Sequence, residues 1–333
     1  MPGPWVEACP CFEEETMEQA APALKLILLP YLLGMRTAVK ENAMALGPQA
    51  VLGSRTLLPG LAALGAQVET VVIDDQDEPS SEDAAGETGI GVEGFFHGDQ
   101  MSRMWAQNMR VAREVRGALA EGRLPVGLIG SCGNTIGMVA GLGADRKIGM
   151  IWFDAHDDAG TPEDSTSGLI EGMPVAMIAG RCWKAYCAQH EGFRAIDEDL
   201  ILTIGLHETY DDRLVQRSDL PGARVTPVEM AAAGFEAAVT RALEALRGKV
   251  DTVYVHVDVD VLDPGEVRIS RYMAHGGLTL EKLHWALGAV AQRFEVRGID
   301  FTSYDPTVQP GSEEKVASTV IEGIRAIAGT RRG

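Results

Sequence analysis

The chain has 333 residues, 46% of them hydrophobic with a mean hydropathy near zero, which suits a soluble protein with a substantial core and one α/β unit. Lys and Arg number 29 against 48 Asp and Glu, a formal charge of −19, so the surface repels phosphate backbones and nucleic acid is not an expected partner. Five cysteines, an odd number in a long chain, do not make a disulfide framework; the longest apolar run, residues 24–34, contains Lys25 and Pro30 and falls far short of a membrane span.

Residues 1–22 read as a flexible leader. They start with prolines and gather Glu13, Glu14 and Glu15, without the basic start and apolar stretch of a signal peptide, which predicts a cytoplasmic chain. Cys9 and Cys11 lie in this leader and carry no expected role. Residues 23–333 read as a single domain. A first strand is expected over 24–30, a helical stretch opens at Gly47-Pro48 and ends near Gly65, and a second strand covers 67–74. Residues 75–93, acidic and rich in Ser and Gly, predict an exposed loop before a long helix from about 99 to 122. Short runs rich in Ile and Val follow at 126–129, 148–153, 200–205, 252–257 and 296–301, with helix-period segments such as 230–247 and 280–293 between them. Cys182 and Cys187 flank Trp183 in a predicted helix and read as packing residues. Apolar strands alternating with helices predict a parallel sheet covered on both faces, with ligands bound beyond the carboxyl ends of its strands.

Two polar clusters fall at such ends. Asp154-Ala155-His156-Asp157-Asp158 follows the run 148–153, and His256-Val257-Asp258-Val259-Asp260 closes the run 252–257. With a period of two, Asp154, His156 and Asp158 point to one side for as long as the strand continues, as do Asp258 and Asp260. Either cluster alone can be an Asp capping a turn. Both together would set carboxylates against one another and raise their pKa values, a conflict that divalent metal resolves.

These segments resemble the ureohydrolase family of arginase, agmatinase and formiminoglutamase, whose signatures are Gly-Gly-Asp-His, Asp-Ala-His-x-Asp and a late Asp-x-Asp-x-x-Asp-Pro. The match extends to Thr161-Pro162, Ser167-Gly168, Gly172-Met173-Pro174-Val175 and Gly276-Gly277-Leu278-Thr279, and with Gly47-Pro48 and Asp300 it runs from about residue 25 to 325. The resemblance implies a three-layer α/β/α sandwich with a central parallel sheet, a small guanidino-like substrate, and a homo-oligomer, trimer or hexamer. It also implies two divalent metal ions, manganese in the family, held by Asp154, His156, Asp158, Asp258 and Asp260. The family's remaining ligand is a His. Keeping 137–141 in ungapped register places Cys132 there, as in a branch of the family with Cys in place of this first His ligand. A thiolate leans toward zinc or another later transition metal; the alternative is a small buried Cys beside a weak metal position.

The reaction so implied is attack of a metal-bridging hydroxide on an amidine carbon, with Asp158 passing a proton to the leaving nitrogen. Glu171 stands where the family often has His and is either a proton shuttle or a solvated loop acid. Ser167 matches a position that contacts the far end of the substrate, or is a plain turn residue. Ser303 replaces the Glu that holds a guanidinium in arginase-like enzymes, and Tyr210 falls where an acid would meet an α-amino group. The implied function is hydrolysis of a linear C–N bond in a guanidino, hydroxyguanidino or formimino compound. Arginase or agmatinase activity proper and a catalytically weak pseudoenzyme subunit remain as alternatives.

Overall fold

From Leu24 onward β1 (Ala23–Leu29) is buried on both sides, as its unbroken apolar run requires. The same holds along β3 (Leu124–Ile129), β4 (Gly149–Phe153), β5 (Ile201–Ile204) and β7 (Thr252–Asp258). With β2 (Gln67–Val72), β6 (Ala223–Val225) and β8 (Glu295–Thr302) they pair in parallel throughout, in the order β2-β1-β3-β8-β7-β4-β5-β6. The computed structural model describes residues 21–32, 34, 42–73, 100–143, 145–165, 168–207 and 222–329. The leader up to residue 20, the predicted loop 75–93, Ser167 and Tyr210 lie outside the described residues.

Helices cover both faces. α1 (Gly47–Leu52) and α2 (Leu57–Ala63) precede α3 (Gln100–Ala120), α4 (Thr135–Leu142), α5 (Pro174–Ile178) and α6 (Lys184–Ala188). α7 (Pro227–Ala233), α8 (Phe235–Arg247), α9 (Leu280–Ala291) and α10 (Glu313–Ala328) follow, the last of the α-helices among the described residues. Strand β8 shows how the layers divide. Ile299 and Phe301 reach Gly323 of α10, while Asp300 between them meets Thr135 at the start of α4. Alternate side chains of a strand point to opposite faces, so α9 and α10 cover one side and α3 and α4 the other. The molecule is therefore an α/β/α sandwich on a parallel sheet, as expected from the sequence.

Two predicted helical stretches are each broken in two. Gly53 ends α1, and Ser54 Oγ then accepts the N–H of Leu57 at the start of α2. Gly234, at φ 81°, separates α7 from α8, and only a residue without Cβ adopts that conformation without strain. Strand β6 and helix α10 lie outside the predicted pattern. β6 is three residues long, too short for a period to register.

One irregularity positions the site. Along the β7–β8 pair Val253 faces Val296, but Tyr254 faces Gly298, so β8 carries one extra residue, Arg297, at this point. Beyond this bulge His256 lies opposite Asp300 and Asp258 opposite Thr302. Without it, Ile299 would stand beside His256 and Asp300 would face the other helix layer. Arg297 is held by its Nε donating to the Leu142 carbonyl at the end of α4, at 3.1 Å.

Candidate metal centre

The four central strands, β3, β8, β7 and β4, deliver the polar residues. β4 ends at Phe153, and Asp154 then turns the chain: its Oδ1 accepts the backbone N–H of His156 at 2.8 Å, and its Oδ2 accepts the Trp152 indole N–H at 2.8 Å. β7 ends the same way, with Asp258 Oδ1 accepting the N–H of Asp260 at 2.8 Å. Each Asp thus closes its own turn with one oxygen, the ordinary task of a strand-end Asp. Because β4 and β7 are neighbours, with Phe153 opposite Val257, the two turns lie side by side.

Two groups of donors result. Asp154, His156 and Asp260 bring ligand atoms within 4.8 Å of one another, with His156 Nδ1 3.2 Å from Asp154 Oδ1 and 3.3 Å from Asp260 Oδ2. Cys132 sits in a 3-10 turn just after β3, its Sγ donating to Asp258 Oδ2 at 2.9 Å. Together with His256 these form the second group, again within 4.8 Å. The expected ligands Cys132, Asp154, His156, Asp258 and Asp260 are therefore gathered. Asp158 is buried close by but stands outside both groups. The strand that would have carried it in alternation stops at Phe153. Asp158 is instead placed by a left-handed backbone, φ 45°, and its carbonyl accepts the N–H of Val175 in α5 at 2.9 Å.

The electrostatics are those of carboxylates crowded out of water. Burial, and then the charge of Asp154, raise Asp158 well above the usual carboxylate range. Burial and the neighbouring carboxylates also raise Asp258 and Asp260. Asp154 alone is lowered: burial opposes this, but hydrogen bonds and charge from His156 outweigh it. For His156, burial opposes the charged ring, yet Asp260 and Asp154 raise its pKa strongly. Burial and Asp258 push the Cys132 thiol up. This much buried negative charge is costly unless cations or protons neutralise it. A mixed set of carboxylate, imidazole and thiol donors is what divalent transition ions bind, so the residues present fit such ions.

Glu171, in a 3-10 turn before α5, faces the same space. The Ser131 hydroxyl donates to both its carboxylate oxygens at 2.6 Å, and burial pushes its carboxyl up to about 7. Ser303 is buried at the end of β8 with φ 66°; its hydroxyl donates to Asp258 Oδ2 and lies 3.2 Å from Cys132 Sγ. Four further residues shape the site without having been assigned a role from the sequence: Trp152, His256, Thr302 and Ser131. His256 lay inside the second cluster, and its period-two spacing from Asp258 was the available signal.

The arginase-family model matches residues 34–326. An arginase of Staphylococcus aureus (strain MRSA252) is 27% identical over 216 residues, covering 64% of this chain and 71% of that protein. The crystal structure of arginase from Bacillus subtilis matches with a TM-score of 0.74 and 22% identity, covering 93% of this chain and 99% of that one. Formimidoylglutamase from Bacillus subtilis matches with a TM-score of 0.69 and 16% identity, covering 95% and 90%. At these identities the two structures show a shared fold. The family match, by contrast, spans the strands that deliver both candidate donor groups, and the chain belongs to the arginase family, hydrolases of amidino C–N bonds.

Proposed function

We propose that this chain holds two divalent ions at the paired donor groups and hydrolyses a linear C–N bond of a guanidino, hydroxyguanidino or formimino compound. The observation that carries the reading is the juxtaposition, at neighbouring strand ends, of two donor groups, Asp154-His156-Asp260 and Cys132-His256-Asp258, in which burial and neighbouring carboxylates raise Asp258 and Asp260. Bound divalent cations supply the charge that lets water ionise near neutral pH and act as a nucleophile. Manganese follows from the family, and zinc or another late transition ion from the sulfur of Cys132.

The chain's own groups handle the protons. Asp158, buried and raised, retains a proton more readily than a free carboxylate, which suits it to pass one to a departing nitrogen. Glu171, titrating at about 7, exchanges a proton with solvent at working pH, and Ser131 fixes its orientation. His156 and Glu171, largely buried but still in reach of solvent, mark the side from which substrate enters. Ser303 offers a hydroxyl already committed to Asp258 where a guanidinium would need a carboxylate, which favours a less basic substrate than a plain guanidine. A second reading, hydrolysis of arginine itself, is favoured by relatives that are named arginases. On the family resemblance the assembly is a homo-oligomer, trimer or hexamer, in the cytoplasm; among the described residues no helix is long and apolar enough to cross a membrane.

Release of urea, amine or formamide should be measured across guanidino, N-hydroxyguanidino and formimino compounds with protein of known metal content. Turnover of an N-hydroxyguanidine or formimino compound well above that of arginine is expected. Equal turnover of arginine and its hydroxylated form would remove the argument from Ser303, and no stoichiometric transition metal in protein purified without chelator would remove the metal-centre reading.

A further inference from the structure

Two residues deeper in the sheet than Asp154 and Asp258, three side chains lie abreast: Trp152 of β4, His256 of β7 and Asp300 of β8, paired residue for residue. His256 is fully buried, its ring stacked on Trp152 with centroids 3.5 Å apart and planes 18° from parallel. Its Nδ1 stands 2.9 Å from Asp300 Oδ1 and 3.3 Å from Thr135 Oγ1. A carboxylate on Nδ1 selects the tautomer with the proton there, which leaves the Nε2 lone pair available. Nε2 lies 3.4 Å from Thr302 Oγ1, and that hydroxyl lies 3.2 Å from Cys132 Sγ, so this edge of the ring faces the sulfur.

The geometry points to His256 as a ligand, through Nε2, of the ion held by Cys132 and Asp258, with Asp300 orienting the ring. The inference rests on the metal-centre reading above and deepens it. Ligand atoms of Cys132, His256 and Asp258 lie within 4.8 Å of one another. On a tetrahedral ion with bonds of about 2.1 Å to nitrogen and about 2.3 Å to sulfur, the two donors stand about 3.5 Å apart, so a shift of about 1 Å at most closes the group. A carboxylate behind a histidine is the usual support of a metal-bound imidazole, fixing its tautomer and raising its basicity. As the metal–sulfur bond forms, the thiol S–H breaks and its proton leaves to solvent. The Thr302 hydroxyl, 3.2 Å from Sγ, then donates to the thiolate, while Ser303 keeps its hydrogen bond to Asp258. A buried His–Asp pair with no further task would cost the desolvation of both partners for little stability.

The donor set at this position becomes one sulfur, one nitrogen and a carboxylate oxygen, which suits zinc or cobalt better than manganese. The other position, Asp154, Asp260 and His156, keeps a harder set. The two positions should therefore differ in metal preference.

The test uses full-length protein stripped with chelator and loaded with cobalt(II), followed by metal analysis and proton NMR in water and in D2O. Two cobalt ions per chain are expected, with two exchangeable, hyperfine-shifted imidazole N–H signals, from His156 and His256. His256→Gln should remove one of these signals and one equivalent of cobalt. Asp300→Asn, which leaves the ring in place should His256→Gln not fold, should retain both signals at saturating metal but weaken binding of one ion about 10- to 100-fold. Two bound cobalt ions with a single imidazole N–H signal in the unaltered protein would overturn the assignment of His256 and leave the metal centre standing. No cobalt bound at all would overturn the metal-centre reading and this inference with it.

Discussion

Removing the metal should invert the pH dependence of stability, and Glu171 lets the size of the effect be worked out. In the fold its carboxyl is raised from 4.5 to about 7, first by burial and further by Asp258, against the hydrogen bond from Ser131. A group raised in the fold contributes stability that is fully present below its unfolded pKa and is lost as pH rises through the folded value. The window is therefore pH 4.5 to about 7. At about 1.4 kcal/mol per pH unit the loss from this group is about 3 kcal/mol. At an unfolding entropy of about 2.1 cal/mol/K per residue, that corresponds in a chain of 333 residues to a fall of about 4 °C in melting temperature. Asp158, Asp258, Asp260 and His156 are also raised and act in the same direction, while the lowered Asp154 opposes them. With metal bound the sign reverses, because ligands must lose protons to bind and stability then climbs with pH. The assay is thermal unfolding of chelator-stripped and metal-loaded protein at half-unit steps of pH, for the wild type and for Glu171→Gln. Between pH 4.5 and about 7 the stripped wild type should lose about 4 °C more than the stripped variant. Parallel curves for the two stripped proteins would refute the placement of Glu171 as a buried acid of this centre.

Cys132→Ala should cost one of the two ions while Asp258→Ala weakens both, since Asp258 touches Cys132 and closes the turn that carries Asp260; metal analysis after gel filtration distinguishes the two, and equal contents would contradict the assignment. Trp152→Phe keeps the stack on His256 but deletes the N–H given to Asp154 Oδ2, and chemical denaturation should show a loss of about 1.5–3 kcal/mol, the worth of a hydrogen bond to a charged group. Gly47→Ala would place a Cβ against the Tyr304 carbonyl oxygen, a backbone atom that cannot swing aside, and the resulting overpacking should cost about 1–3 kcal/mol in the same experiment.

The parallel sheet was legible because burial on both faces leaves a strand almost no polar residues, so runs such as 252–257 stand out against the helical segments around them. The residues at the strand ends were legible for the converse reason: carboxylates at the close of such runs have no place in a core. Short elements escaped. β6 has three residues, and the long helical patterns concealed the breaks after α1 and at Gly234, where a residue without Cβ takes φ 81°. Asp158 shows the limit of counting by twos. The alternation that groups it with Asp154 and His156 holds only within a strand, and β4 stops at Phe153, so a left-handed residue, rather than the pleat, decides where that carboxylate goes.

The deeper layer of the site was hidden for a different reason. Spacing along a chain reveals which side chains share a face of one strand, but says nothing of what stands beside them on the next strand. Asp300 meets His256 only because Arg297 adds a residue to β8 and shifts everything after it by one position. A period read through 296–301 without that bulge would send Asp300 into the layer that holds α10 and leave Ile299 against the imidazole. Arg297, the bulged residue, reaches the end of α4, the helix whose first residue, Thr135, contacts both His256 and Asp300. The same helix thus anchors the bulge at one end and touches the His–Asp pair at the other, so the orientation of His256 is set by the packing of a helix layer as much as by its own strand. If His256 is a ligand, the metal preference of this centre is decided partly by that register shift, and changes at Arg297, remote from the ions, should alter metal selectivity before they alter the fold.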